Sequence, residues 1–443
     1  MKKSNSARNI YDFIGIGFGP SNLALAIALE ERAKIQGALN VLFLDKQRNY
    51  SWHGNTLVAQ SELQISFLKD LVSLRNPTSP YSFVNYLHKQ GRLVDFINLG
   101  AWYPGRVEFN DYLRWVAAHF SAQTQYGEEV INIEPVEFER EVTALRVTSR
   151  NHEGVEQQRI TKSLAVSTGG TPFVPPAFRH LQSDSRVFHH ARYLENIRKQ
   201  VCVNGKPMKV AIIGSGQSAA EAFIDLNDSY PSVSVEMILR GSALKPADSS
   251  PFVNEIFSPE FTDIVFKQTT ERRESIINEY HNTNYSVVDL DLIERIYAIF
   301  YRQKVVGEQR HQFRKLSSIE QAIATDTGIN LTFKNTATGA ITSQTYDAVI
   351  LATGYERKHH YEIMAPLADY LKEYSVDRDY RIKTNSHFKP AIYMQGFCES
   401  SHGLSDTLLS VLPIRADDIA KSLYEFVEGE LAVTLSNSLA EAH

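Results

Sequence analysis

Two glycine-rich turns constrain this chain more than any other feature. The first is Gly15-Ile16-Gly17-Phe18-Gly19-Pro20 and the second is Gly214-Ser215-Gly216-Gln217-Ser218-Ala219. Each follows a short apolar run, Tyr11-Asp12-Phe13-Ile14 before the first and Lys209-Val210-Ala211-Ile212-Ile213 before the second. Each precedes an alanine-rich stretch. The pattern predicts a buried parallel strand, a tight turn and a helix, twice over. Glycines in such a turn let the backbone approach a pyrophosphate, and the helix N-terminus that follows favours its negative charge. Two such units imply two dinucleotides in one chain, and two dinucleotides imply electron transfer between them.

The residues that end the next strand separate the two turns. After the first, Val41-Leu42-Phe43-Leu44 ends at Asp45, a carboxylate that can accept from a ribose diol; the alternative is a solvated Asp. After the second, Val233 through Leu239 ends at Arg240. Arginine cannot accept from a ribose hydroxyl, but its planar fork can clamp a 2′-phosphate, which points to NADPH over NADH. An exposed surface arginine is the alternative. Pro20 replaces a third glycine, which the first turn of a helix tolerates. Two further strands end alike, in Ser167-Thr168-Gly169 and Ala352-Thr353-Gly354. Such ends mark crossings between a first nucleotide domain and a second one inserted into it.

At 443 residues the chain exceeds one ordinary core. The expected fold is α/β, with two Rossmann-like dinucleotide-binding domains and a mainly helical insert. The first domain spans residues 1–172 and 371–443, the second 173–250 and 325–370, and the helical substrate-binding region 251–324. Residues 128–166 read as a β-meander, and Ser436 to His443 as a frayed tail. A net charge of −5 gives no electrostatic case for nucleic acid. Lys2, Lys3 and Arg8 precede an apolar stretch, but Asp12 and the glycines break it, so it reads as strand and turn rather than a signal peptide. No run is long enough for a transmembrane helix. Two cysteines, Cys202 and Cys398, cannot build a disulfide framework, and their scarcity fits a reducing cytoplasm. The histidines show no ligand spacing, so no metal is expected.

One short segment suggests a small-molecule site. In Gln64-Ile65-Ser66-Phe67-Leu68-Lys69-Asp70 the ammonium of Lys69 sits among apolar residues, where an anionic ligand group would compensate it. An ion pair with Asp70 or Glu62 would serve equally. Asn254, Asn282 and Asn284 offer donors and acceptors suited to a zwitterion, or they are loop and cap residues.

Taken together, Gly15 through Asn22, Trp52-His53, Gln64 through Lys69, Gly214 through Glu221, Asn254, Asn282 through Tyr285, Ala352 through Tyr355 and His402 through Ser410 resemble the N-hydroxylating flavoprotein monooxygenases. They are most like the bacterial L-ornithine N5-hydroxylases of pyoverdine-type siderophore biosynthesis. The resemblance runs from about Asp12 to Tyr424. It implies FAD and NADPH as cofactors, L-ornithine and O2 as substrates, and hydroxylation through a C4a-hydroperoxyflavin with no protein nucleophile. It implies Lys69, Asn254 and Asn284 as substrate-binding residues, with Gln64 and Ser410 near flavin and substrate. Gly15, Gly17, Gly19, Pro20, Asp45, Trp52, His53, Gln64 and Leu408 would line the FAD site. Gly214, Ser215, Gly216, Gln217, Ser218, Arg240, Asn284 and Tyr285 would line the NADPH site. It also implies a homo-oligomer, such as a tetramer. L-lysine N6-hydroxylation is the alternative activity, and another FAD/NADPH oxidoreductase a more distant one.

Overall fold

The computed structural model describes the backbone of residues 10–441 and side chains as far as residue 430; Lys2, Lys3 and Arg8 lie outside the described residues. The chain is α/β, and two five-stranded sheets organise it, both wholly parallel. The first runs in the order Ala391–Met394, Ser163–Val166, Phe13–Ile16, Val41–Asp45, Thr124–Tyr126. Its central strands are buried from end to end, as strands covered on both faces must be. The second runs Val187–His189, Ala348–Leu351, Met208–Ile213, Val233–Ile238, Gln312–Arg314.

Each sheet carries the expected helix behind its glycine turn, Pro20–Gln36 on the first and Gln217–Ser229 on the second. Leu23 through Leu29 are all buried, so the first helix is covered nearly all round. Its second cover is the long last helix, Leu412–Glu441. Arg32 meets Asp417 at 2.9 Å, Tyr424 donates to the Gly37 carbonyl at 2.8 Å, and Arg415 donates to Ser21 Oγ at 2.8 Å. Of the tail expected to fray, Ser436 to Glu441 is instead helical; residues 442 and 443 lie outside the described residues. The segment 128–161 forms the antiparallel meander, Glu128–Phe138, Glu141–Asn151 and Glu156–Thr161, with Ile10–Tyr11 at its edge.

Two expected boundaries move. The helical insert runs from Pro251 through the helix Leu290–Val306, not to 324. Gln312–Arg314 completes the second sheet, and Ser317–Thr325 begins an antiparallel sheet with Gly328–Asn335 and Ile341–Tyr346. That sheet shares a core with Phe178, Ala211 and Ile238, which draws 312–346 into the second unit. Residues near 360–370, placed with the second unit by sequence, bury Ile363, Met364 and Leu367 in the first core instead.

Candidate active site

The two glycine turns are pressed against the two similar strand ends. Gly17 has φ 80°, and a Cβ there would lie 2.6 Å from the Ser167 carbonyl oxygen. Gly214 has φ 144°, and a Cβ there would lie 2.3 Å from the Ala352 carbonyl oxygen. Ser167-Thr168-Gly169 and Ala352-Thr353-Gly354 are therefore the floors on which the turns rest. The helices after both turns have glycine N-caps, Gly19 and Gly216, with no side-chain cap. Their first N–H groups lack an internal side-chain acceptor, and the space a Cβ would occupy at Gly19 is open to 4 Å. Such a helix end is suited to an anion. Beside the first turn the Thr168 hydroxyl is buried without a partner among the described residues.

Asp45 does more locally than a free ribose acceptor would. Its Oδ2 accepts from Phe18 N in the turn and its Oδ1 from Gln47 N, each at 2.7 Å. Burial still raises its pKa, although these two bonds oppose the rise. The carboxylate shapes the turn, and each oxygen retains a second lone pair.

A cleft of about 1380 Å³ opens over the second turn, well beyond the ~300–1,000 Å³ of an ordinary small-molecule pocket. Gly214, Ser215, Gly216, Gln217, Ser218 and Arg240 line one part, and Gln64, Asn284 and Tyr285 another. Arg240 is exposed there, and among the described residues no carboxylate pairs with it. Tyr285 donates to Glu399 Oε2 at 2.5 Å and lies 3.3 Å from Thr407 Oγ1. Burial, then the Glu399 charge, pushes the Tyr285 phenol up to about 12. His189, at the rim strand, is a fixed neutral tautomer. Its Nδ1 accepts from Ala191 N at 3.0 Å, so its Nε2–H donates to the Gly354 carbonyl at 3.0 Å. Burial lowers its pKa to about 4.

Lys69, Asn254, Leu408 and Ser410 are not among the residues lining this cleft. Lys69 is half-buried, and burial lowers its pKa. The Asp70 ion pair allowed by sequence does not form. Asp70 is buried and accepts from Val72 N, Ser73 N, Ser73 Oγ and Phe83 N at 2.6–2.9 Å. Among the described residues Lys69 therefore has no carboxylate partner. Asn254 is exposed, and its amide donates to the Ser249 carbonyl at 2.9 Å. Ser410 is buried and Leu408 half-buried, in the short turns before the last helix. Trp52 is tied by its backbone N–H to Asn110 Oδ1 at 2.8 Å. His53 takes a left-handed conformation, φ 53°, closed by Thr56 N and Oγ1 on its carbonyl at 2.8 and 3.0 Å.

Sequence reasoning missed Arg106, and included Glu221 only as the end of the run Gly214 through Glu221. They form a two-bond pair at 2.8 and 2.9 Å where the first unit meets the second helix. A carboxylate within the buried run Ala219 to Ile224, one turn into the Gln217–Ser229 helix, was the available signal. Among the described residues, no helix is long and apolar enough to cross a membrane, and no three His, Cys, Asp or Glu side chains group as metal ligands.

The family model for L-lysine 6-monooxygenase/L-ornithine 5-monooxygenase matches residues 9–357. The chain belongs to this family. The chain is 64% identical to the L-ornithine N(5)-monooxygenase of Pseudomonas aeruginosa, with 97% of each chain covered. Among solved structures, the family resemblance extends to ornithine hydroxylase PvdA from Pseudomonas aeruginosa. Its TM-score is 0.91 at 64% identity, covering 94% of this chain and all of that one. It extends also to the ornithine N-hydroxylase KtzI of Kutzneria sp. 744, solved with reduced FAD, NADP+ and L-ornithine. Here the TM-score is 0.88 at 34% identity, covering 94% of this chain and 99% of that one.

Proposed function

We propose that the chain is an FAD-dependent monooxygenase that uses NADPH and O2 to hydroxylate N5 of L-ornithine, supplying N5-hydroxyornithine for hydroxamate siderophore assembly. The observation that carries this reading is the 64% identity, end to end, with an L-ornithine N(5)-monooxygenase. The first sheet, with Gly15, Gly17, Gly19 and Pro20 at its switch point, is the Rossmann-like FAD unit; Asp45, Trp52, His53 and Leu408 border it. The second sheet is the Rossmann-like NADPH unit. Its turn residues Ser215 through Ser218 would cradle the pyrophosphate, and Asn284 and Tyr285 would line the same NADPH site. Two uncapped helix N-termini, the open space at Gly19 and the Thr168 hydroxyl, buried without a partner among the described residues, support two diphosphate sites.

When bound, FAD would supply the redox chemistry between NADPH and O2. The side chains bind, orient and keep the site dry. Lys69, with no carboxylate partner among the described residues, receives the substrate carboxylate, and Asn254 and Asn284 hold its α-amino and carboxylate groups. Gln64 and Ser410 are read as neighbours of flavin and substrate. A free amine has a pKa of about 10.4, and only its neutral form has a lone pair to react. A dry site that disfavours the ammonium supplies that form.

Lys69→Ala should lower kcat/KM for ornithine by at least ~30-fold, the cost of leaving a desolvated carboxylate unpaired, with flavin content unchanged. Unaltered ornithine kinetics would remove Lys69 from the site. Arg240→Ala should shrink the NADPH-over-NADH preference by about 10–100-fold, the worth of charge-assisted bonds to a phosphate. An unchanged preference would refute its role. The reading as a whole is tested by the product. The purified protein should be yellow and form hydroxylamine from ornithine, more than from lysine or simple diamines. Preference for lysine would move the assignment to N6-hydroxylation.

A further inference from the structure

Asp289 joins three parts of the molecule that sequence keeps far apart. It stands immediately before the helix Leu290–Val306, at the N-cap position. Aspartate is a favoured N-cap because its carboxylate can accept from the first helical N–H groups. Here the side chain makes no cap bond. Its Oδ1 instead accepts from Gln64 Nε2 at 2.7 Å, and its Oδ2 from Gln217 Nε2 at 2.9 Å. Gln217 returns a bond, its Oε1 accepting from Asp289 N at 2.9 Å. Gln217 is the first residue of the helix behind the second glycine turn, and Gln64 belongs to the loop that faces the cleft from the first unit.

The chain of contacts closes on itself. Gln217 Nε2 also reaches Glu221 Oε1 at 3.0 Å, Glu221 is gripped by Arg106, and Arg106 Nε donates to the Glu62 carbonyl at 2.9 Å. The circuit thus leaves the first unit at Glu62 and re-enters it at Gln64.

This arrangement decides which end of the Gln64 amide faces outward. A carboxylate only accepts, so the NH2 of Gln64 must point at Asp289, and its Oε1 must point away. We propose that Asp289 is a positioning residue: it holds Gln64 so that a carbonyl acceptor is presented to the reacting centre, and it sets that acceptor in register with the NADPH turn through Gln217. The inference rests on the reading of Gln64 as a neighbour of flavin and substrate. A donor on the opposing partner, such as an amine N–H, is then matched, whereas a rotated amide would oppose N–H to N–H.

Two variants separate this role from helix capping. Asp289→Asn keeps the volume but can satisfy only one of the two amides. Asp289→Ser keeps a good N-cap oxygen, and with it the helix, but can no longer receive both amides. In the full-length holoenzyme both should keep flavin content and the unfolding midpoint. Both should slow NADPH-driven flavin reduction, measured without ornithine. Both should also lower the fraction of oxidised NADPH that yields hydroxylamine, each by about tenfold, the size of one lost charge-assisted bond. On a Gln64→Ala background, Asp289→Asn should change that fraction little, because the two act as one unit. Wild-type coupling in Asp289→Asn, wild-type behaviour in Asp289→Ser, or a fully multiplicative loss in the double variant would each overturn the proposal. A wild-type protein that forms no hydroxylamine from ornithine would overturn the functional reading alone, since flavin reduction without substrate still tests Asp289.

Discussion

Gly214→Ala is expected to disable NADPH use while sparing the flavin. The glycine has φ 144°, a region essentially closed to side-chain-bearing residues, and a Cβ would stand 2.3 Å from the Ala352 carbonyl oxygen. That oxygen is backbone at the end of a central, fully buried strand, and cannot swing aside. The turn must shift instead, and the helix N-terminus at Gln217 shifts with it. A displacement of about 1 Å between reacting groups costs on the order of 10²-fold. The rate of flavin reduction by NADPH should fall at least that far in stopped-flow. The first sheet is untouched, so the flavin should remain bound and still be reduced by dithionite. Reduction by NADPH at the wild-type rate would show that the turn does not carry the nucleotide.

The second large effect is on stability. Arg415 and Asp406 form an ion pair in which the side chains are 2% and 0% exposed. Arg415 Nη1 donates to Asp406 Oδ1 at 3.0 Å and also to the Asp406 carbonyl. Nη2 reaches Ser21, and Asp406 Oδ2 accepts from Cys398 N at 2.7 Å. Asp406→Asn strands the guanidinium in a dry interior. Breaking one side of such a pair costs about 3–5 kcal/mol. Denaturant unfolding of the flavin-loaded protein should show that loss. The double change Asp406→Leu with Arg415→Met, which removes both charges, should recover much of it. A loss below ~1 kcal/mol in the single variant would mean that water reaches the pair after all.

What could be read from sequence was whatever is encoded locally. The glycine turns, the strands before them and the helices after them are contiguous, and their periodicity survives any context. The positions of Asp45, at the end of one strand, and Arg240, two residues past the end of another, were legible for the same reason, but the two backbone bonds that Asp45 accepts were not. The strand Gln312–Arg314 was not, because three residues are too few to show a period, and it is a strand only through its pairing with Glu236 through Ile238. The antiparallel sheet beyond it alternates polar with buried residues weakly, since its outer strands are largely exposed. Lys69 could be singled out, but its lack of an ion pair could not, because that depends on Asp70 spending its oxygens on Val72, Ser73 and Phe83. Asp289 was invisible altogether: its partners, Gln64 and Gln217, lie in distant parts of the chain, and only folding makes them neighbours.

The first sheet takes its edge strand from residues 391–394, and its helix is roofed by the helix beginning at Leu412. The second sheet is complete between residues 187 and 351. On the ribosome the order of chain emergence is therefore not the order of completion. The unit begun first must wait, with the apolar flank of Pro20–Gln36 uncovered, while the later unit closes. Non-local closure of this kind is slow and leaves apolar surface open during synthesis. A chain truncated before residue 391 would keep a finished second unit attached to a first that can never close.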